Sequence, residues 1–505
     1  MPAAYMPRPL TDSGSSHALK RTRILDHLIF VFLSLFAIVL PFSIKGAERA
    51  WKIAFVLWLV KLAIDRVRPH VQPLTAPLLA FVVLSAVSTA LSPEPYLSWD
   101  RMKVVCLVMV GVVFAQSLKR LSQIRWLVIL LILSGFAAAA YTGWQYSYGI
   151  GVRLGEFPAG SRLAAAGFQP DDIVTAFNGY TVHTPEQLIH AIERTSSSER
   201  VSVRYLRGLG LDVGVVVATP RDFVQSGLGT GSMKLERGRP IRAKGTLGHR
   251  VVFAEMLMQL GCLSWAMFLC GHRGRRGFRV ASGAIFLALI AALVATETRA
   301  ALVGLAFGCF IVLFVLAGKR TKVWAAAAAL AVLMTCAALW VLHSRGINWT
   351  SSNDVGTQFR ILIWEDGLRL VRQHPWFGVG METVRLHWLE WNIRGFIQYQ
   401  VVGNFHSTPL QIAVERGLTT LAAWLWFVVA YIVFLVRLIG KAGARSRFAA
   451  AVVTATLAGF VGFLTTSLVH YNLGEEPLVM ALFFFFGLAV AIDRMLLTPG
   501  AIDVE

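Results

Sequence analysis

Between Gly356 and Gly417 the chain places Arg360, Trp364, His374, His406, Gln411 and Glu415 in a polar, aromatic-rich stretch. It is the longest such interruption in a second half that otherwise alternates apolar runs with short basic loops. Guanidinium forks hold anionic oxygens in pairs, and an imidazole exchanges protons near neutral pH. The stretch is therefore equipped for anion binding and proton transfer. Other chemistries lack their residues. HExxH would mark a metalloprotease and GxSxG a serine hydrolase, and neither occurs. The five cysteines (Cys106, Cys262, Cys270, Cys309 and Cys336) all fall inside apolar runs, which disfavours a disulfide framework. No Cys/His spacing suggests a zinc site.

The elements that position these residues are legible in part. Ile361, Trp364, Leu368 and Val371 share one face at helical spacing, so an amphipathic helix is expected to begin at Phe359. Arg360 sits one turn from Trp364. The helix should end near His374, because Pro375 disfavours helix in the residue before it, and Trp376 to Gly380 should turn.

The rest of the chain reads as membrane. Of its 505 residues 56% are hydrophobic and only 15% charged, against about a quarter charged in soluble proteins. About twelve apolar runs are long enough to cross hydrocarbon. They lie near 25–44, 50–65, 73–92, 103–118, 125–143, 249–271, 279–295, 300–318, 323–342, 418–438, 448–468 and 477–494. The polar N-terminal tail makes the first an anchor rather than a cleaved signal.

The net charge of +20 reports orientation rather than a nucleic-acid partner. Its basic groups fall between alternate runs: Lys20-Arg21-Arg23, Lys61-Arg66-Arg68, Lys119-Arg120-Arg125, Arg273-Arg275-Arg276-Arg279, Lys319-Arg320-Lys322 and Arg437-Lys441-Arg445-Arg447. The positive-inside rule puts these groups and both termini in the cytoplasm. Residues 281–317 are apolar apart from Thr296-Glu297-Thr298-Arg299. As one helix they would run about 55 Å, and both flanking loops are basic. Two spans joined at Glu297–Arg299 are expected, which puts Arg299 on the non-cytoplasmic face beside the 343–417 loop.

Residues 148–220 break the membrane pattern. Val201, Val203 and Tyr205 alternate with polar residues, and Asn178-Gly179 is a hairpin turn pair, so a small β/α domain is expected. Its order resembles a bacterial PDZ domain: YGIGV as carboxylate-binding loop and strand, then turns at Gly160-Ser161, Ala166-Gly167, Asp171-Asp172 and Asn178-Gly179. Such a domain captures an extended peptide on a free strand edge. A docking module without a peptide ligand stands as the alternative.

The pattern R-x₃-W…HPWFGVG…H-x₃-LQ-x₃-E-x-G is carried by Arg360, Trp364, His374, Pro375, Gly378, Gly380, His406, Leu410, Gln411, Glu415 and Gly417. With TETRAALVGL at 296–305, it resembles the core of the O-antigen ligase and polymerase family over roughly residues 280–440. Where family members commonly carry Asn directly after the histidine and an aromatic two residues further on, this chain has Ser407 and Pro409. The resemblance implies an inverting, metal-independent glycosyltransferase without cofactors. It would move a glycan from undecaprenyl diphosphate to an acceptor hydroxyl, either on lipid A-core or on a growing glycan. Arg299 and Arg360 would bind and stabilise the diphosphate leaving group, and His406 would be the general base. Trp364, Gln411 and Glu415 would be supporting residues, and His374 a structural one. Arg237, Arg239, Arg242 and Arg250 would attract the anionic carrier or lipid headgroups, with Arg242 the chosen substrate contact. A polymerase with the same donor chemistry remains open. A lipid-linked-sugar transporter would call for mid-span charges and broken helices, whereas the charges here cluster at span ends.

The expected fold is an all-α polytopic membrane bundle of about twelve helices with the β/α insertion, in a bacterial inner membrane. Its segments are a cytoplasmic tail (1–22), spans one to five (23–145), the PDZ-like periplasmic domain (148–220), a basic linker (221–247), spans six to nine (248–342), the periplasmic catalytic loop (343–417), spans ten to twelve (418–495) and a cytoplasmic tail (496–505).

Overall fold

The computed structural model describes residues 13–65, 74–149, 151–157, 160–207, 212–227, 233–238, 243–270, 276–316, 355–399 and 402–497. The expected span 323–342 and the candidates Arg239 and Arg242 lie outside them.

The chain opens with α1 (Ser13–Val39), α2 (Ile44–Asp65), α3 (Thr75–Ala90), α4 (Pro95–Val105), α5 (Val108–Ser117) and α6 (Leu121–Tyr148). The apolar run expected at 103–118 is thus two short helices, broken at Cys106–Leu107. After the inserted domain come α10 (Arg250–Cys270), α11 (Arg276–Thr296) and α12 (Arg299–Leu316). The polar stretch holds α13 (Val355–Gln373), α14 (Val384–His387) and α15 (Arg394–Tyr399), and the chain closes with α16 (Thr408–Gly443), α17 (Arg447–Ser467) and α18 (Glu476–Leu497). Among the described residues seven helices are long and apolar enough to cross a membrane: α6, α10, α11, α12, α16, α17 and α18. The stretch 281–317 is divided where Glu297 takes a left-handed φ of 52° between α11 and α12.

Burial sorts these helices. In α10, α17 and α18 the most apolar window is 83%, 83% and 89% buried, against 33% in α11 and 44% in α12. The first three form the bundle's centre. The others turn residues such as Leu287 and Phe314 outward, as helices facing lipid do. Small residues let α12 close onto the centre on its inner side. A Cβ on Gly304 of α12 would come 3.0 Å from the Gly462 carbonyl of α17, and one on Gly308 would come 3.1 Å from that of Ala458. The pairing 304–462 and 308–458 makes α12 and α17 antiparallel. Gly304 also meets Met258 and Gly308 meets Cys262, so α10 runs parallel to α12. In this register Arg299, Glu255 and Thr466 stand at the same end of the bundle.

In the insertion the sheet order is β5-β4-β2-β1-β6, with β3 (Tyr180–Thr181) beside β2. The strands are β1 (Val152–Leu154), β2 (Ile173–Phe177), β4 (Val201–Arg207), β5 (Asp212–Ala218) and β6 (Leu235–Arg237). Helices α7 (Arg162–Ala165), α8 (Pro185–Glu193) and α9 (Pro220–Gln225) join them. Asn178-Gly179 makes the two-residue turn between β2 and β3, both residues at positive φ as a type I′ hairpin requires. Its core gathers Val152, Leu163, Phe177, Leu188, Val203 and Phe223.

Two features differ from expectation. The sheet reaches into the segment expected as linker, because Leu235 gives it a further apolar contact. The strand expected to offer a free edge, β1, is paired on both sides, to β2 and antiparallel to β6. Leu154 faces Leu235 and Val152 faces Arg237, while α8 also packs against β6. The chain's own residues therefore occupy the place on β1 where a peptide strand would add.

Candidate functional site

His406 is held by its neighbours on both sides. Its backbone takes a left-handed φ of 49°, and its N–H donates to Asn404 Oδ1 at 2.9 Å. The preceding residue, Phe405, is fully buried against Ile363 and Phe396. Phe405 N–H donates to Gln411 Oε1 at 2.7 Å, and Trp364 Nε1 donates to the Phe405 carbonyl at 2.8 Å. Trp364 and Gln411 thus fix the peptide units that aim His406. Ser407 and Pro409, the departure from the family pattern, begin a helix: Ser407 is the extended N-cap of α16 and Pro409 sits in its first turn.

The glycines of the polar stretch serve backbone geometry. Val379 N–H donates to the Val414 carbonyl (2.9 Å), Gly380 N–H to that of Glu415 (2.8 Å) and Leu418 N–H to that of Pro375 (2.7 Å). This stitches the 375–380 turn along α16 where the helix is interrupted at Gly417 (φ 79°). A Cβ on Gly378 would come 2.5 Å from the Val414 carbonyl, and one on Gly417 would collide with the Trp376 carbonyl. Glu415, buried, accepts from Glu382 N–H at 2.8 Å. Ser88 of α3 hydrogen-bonds the Phe377 carbonyl at 2.7 Å. His374 lies exposed just beyond α13.

The amphipathic face of α13 is rotated from the one expected. Ile361 and Leu368 are 49% and 52% exposed, whereas Ile363, Asp366 and Leu370 are buried. Ile363 and Leu370 join Phe396 and Phe405 in one core on this face, and Asp366 is accommodated there by accepting from both the backbone and the side chain of Arg394 (2.8 and 3.0 Å).

Arg360 and His406 come together. The ring of Phe359 meets His406 edge-on at 5.8 Å. Burial, then the positive charges of Arg360, His470 and His249, push the His406 imidazole down to about 4. It is therefore neutral at neutral pH, as a base must be before it accepts a proton. Arg299, at the first position of α12, stands at the same bundle end. Ala243 N–H donates to the Ala295 carbonyl at 2.9 Å, which brings the segment before α10 to the turn that carries Arg299. Arg237 ends β6, and Arg250 begins α10 beside His249.

One cluster escapes a reading of the sequence. Glu255, fully buried in α10, lies 2.7 Å from His470 Nδ1 and accepts from Thr466 Oγ1 at 2.8 Å and Asn472 Nδ2 at 3.1 Å. The rings of His249 and His470 stack at 6.5 Å and 11°. The Thr408 hydroxyl lies 3.0 Å from the His470 carbonyl and 2.8 Å from Asn472 Oδ1. Burial alone would lower His470, but the Glu255 carboxylate overcomes it and holds the imidazole above its usual range. His249 is lowered by burial and by the charge of His470. The signal was available, since Glu255 is the sole acidic residue of the 249–271 run.

No curated protein matches the chain. Residues 284–425 match the family model described as O-antigen ligase. That match takes in Arg299, Arg360, Trp364, His406, Gln411 and Glu415, so the segment that carries them is similar to the O-antigen ligase family.

Proposed function

We propose that the protein transfers a glycan from undecaprenyl diphosphate to an acceptor hydroxyl at the periplasmic membrane face. His406 takes the proton of the attacking hydroxyl. Arg360 and Arg299 bind the diphosphate oxygens and stabilise the charge that builds as the anomeric C–O bond breaks. Attack from the opposite side inverts the anomeric centre and needs no metal. About twelve crossings, with both termini in the cytoplasm, set this face outward. Of the two acceptor classes, lipid A-core is the reading adopted.

What carries the proposal is that the O-antigen ligase match spans all three residues, while the charge of Arg360 acts directly on His406. The test is deletion of the gene and complementation with His406→Ala or Arg360→Ala. Long-chain lipopolysaccharide should vanish while carrier-linked polymer is still made. Single repeats on the acceptor would instead assign a polymerase, and full activity in both variants would refute the mechanism.

A further inference from the structure

A buried carboxylate is costly unless every oxygen is paired, and Glu255 meets that condition through one short segment. Thr466, His470 and Asn472 all lie within the end of α17 and the loop after it. That loop in turn grips Thr408, two residues past His406: Asn472 N–H donates to Thr408 Oγ1 at 3.1 Å, and Asn472 Oδ1 lies 2.8 Å from the same hydroxyl. The path from the interior of α10 to the residues beside His406 is continuous and polar.

We propose that Glu255 and His470 form the positioning pair of the site, holding the loop that carries His406 and keeping a positive charge beside it. This deepens the reading of His406 as the base and rests on it. A carboxylate hydrogen-bonded to one imidazole nitrogen fixes that ring's orientation and favours its charged form. The charged groups acting on His470 come from three elements: Glu255 of α10, Glu475 of its own loop and Arg360 of α13; the charge of His470 in turn lowers His249, just before α10. The two carboxylates favour a proton on His470, and that proton then disfavours one on His406. His406 thus stays free to accept a proton even in mildly acid surroundings. Glu255 and His470 act through His406 and are not themselves placed on substrate.

The test uses the full-length protein in detergent or nanodiscs, with Glu255→Gln and His470→Gln. Glutamine at 255 keeps one acceptor oxygen, which Thr466 and Asn472 can share as they share Glu255 Oε2, while removing the charge. Diethyl pyrocarbonate modifies only neutral imidazoles, so the pH midpoint of His406 modification, read by mass spectrometry, reports its protonation without any substrate. In both variants the midpoint should rise, by about one pH unit in His470→Gln and less in Glu255→Gln, because the first leaves a carboxylate uncompensated. With undecaprenyl-diphosphate-linked glycan as donor, the acid limb of kcat should move the same way and the donor KM should hold within about twofold. Folded variants with an unmoved or lowered midpoint overturn the pair's role. If one variant does not fold, the other decides. A raised midpoint in a protein that transfers no glycan at any pH would support the pair and sink the reading of function beneath it.

Discussion

Gln411→Ala tests how His406 is held. The amide of Phe405 is buried and donates to Gln411 Oε1 at 2.7 Å, with Gln411 itself only 3% exposed. Removing the acceptor strands a buried N–H, which costs about 1 to 3 kcal/mol. The cost falls on one loop, so it should appear as local opening. At 1.4 kcal/mol per factor of ten, opening around Phe405 should become about 5- to 150-fold more frequent. Amide exchange at 405–407, followed by mass spectrometry, reads this directly. Transfer from carrier-linked donor should fall at least tenfold, since a misplacement of about 1 Å in a catalytic group can cost about a hundredfold. Trp364→Phe removes the other restraint on the same residue, the 2.8 Å bond to the Phe405 carbonyl. Because either loss frees the same loop, the two effects should be less than additive in a double-mutant cycle. Strict additivity, or a Gln411→Ala protein with unchanged exchange and unchanged transfer, would refute the idea that these side chains aim His406.

Gly417→Ala should lower stability by about 2 kcal/mol or more, from its φ of 79° and the Trp376 carbonyl in its path; Gly440→Ala, with open space around it, is the control in thermal melts. Arg360→Ala should raise the His406 modification midpoint, because the guanidinium is among the charges that lower it. His387 is raised by its hydrogen bonds to Glu390 and Glu94. A raised folded value means that its contribution is complete below its ordinary range and lost as pH climbs through the raised value. The melting-temperature gap between wild type and His387→Ala should therefore narrow as the pH rises above the ordinary histidine range.

Composition marked out the apolar runs because lipid demands them, and motif spacing singled out His406, Arg360 and the glycines as candidates. The E-x-G spacing has its physical reason in the stitch between 375–380 and 414–418. Three things stayed hidden. Asp366 sits on the buried face of α13, accommodated there by its pairing with Arg394 from another helix, so hydrophobic periodicity alone chose the neighbouring face. Segment 235–237 belongs to the sheet through backbone pairing to β1, which a short polar run does not advertise. Glu255 was averaged away inside an apolar run, and its partner His470 lies 215 residues further on.

The register of the central helices matters to chemistry that happens beyond their ends. Glu255 meets Thr466 at 2.8 Å only because α10, α12 and α17 are locked together a few residues deeper, where Met258, Gly304 and Gly462 converge. A Cβ at Gly304 would come 2.5 Å from Met258 Sδ and 3.0 Å from the Gly462 carbonyl. The methionine can swing away, but the carbonyl belongs to α17's backbone, so α12 and α17 must part by a few tenths of an ångström. Hydrogen bonds weaken quickly as they lengthen, and Glu255 would hold Thr466 and the 468–472 loop less firmly. Gly304→Ala should therefore raise the His406 modification midpoint in the same direction as Glu255→Gln but by less, although position 304 lies more than a turn below the site. Gly283→Ala, which meets only the Phe268 ring on α10's opposite end, should leave it unmoved. Equal behaviour of the two alanine variants would mean that helix register does not reach His406.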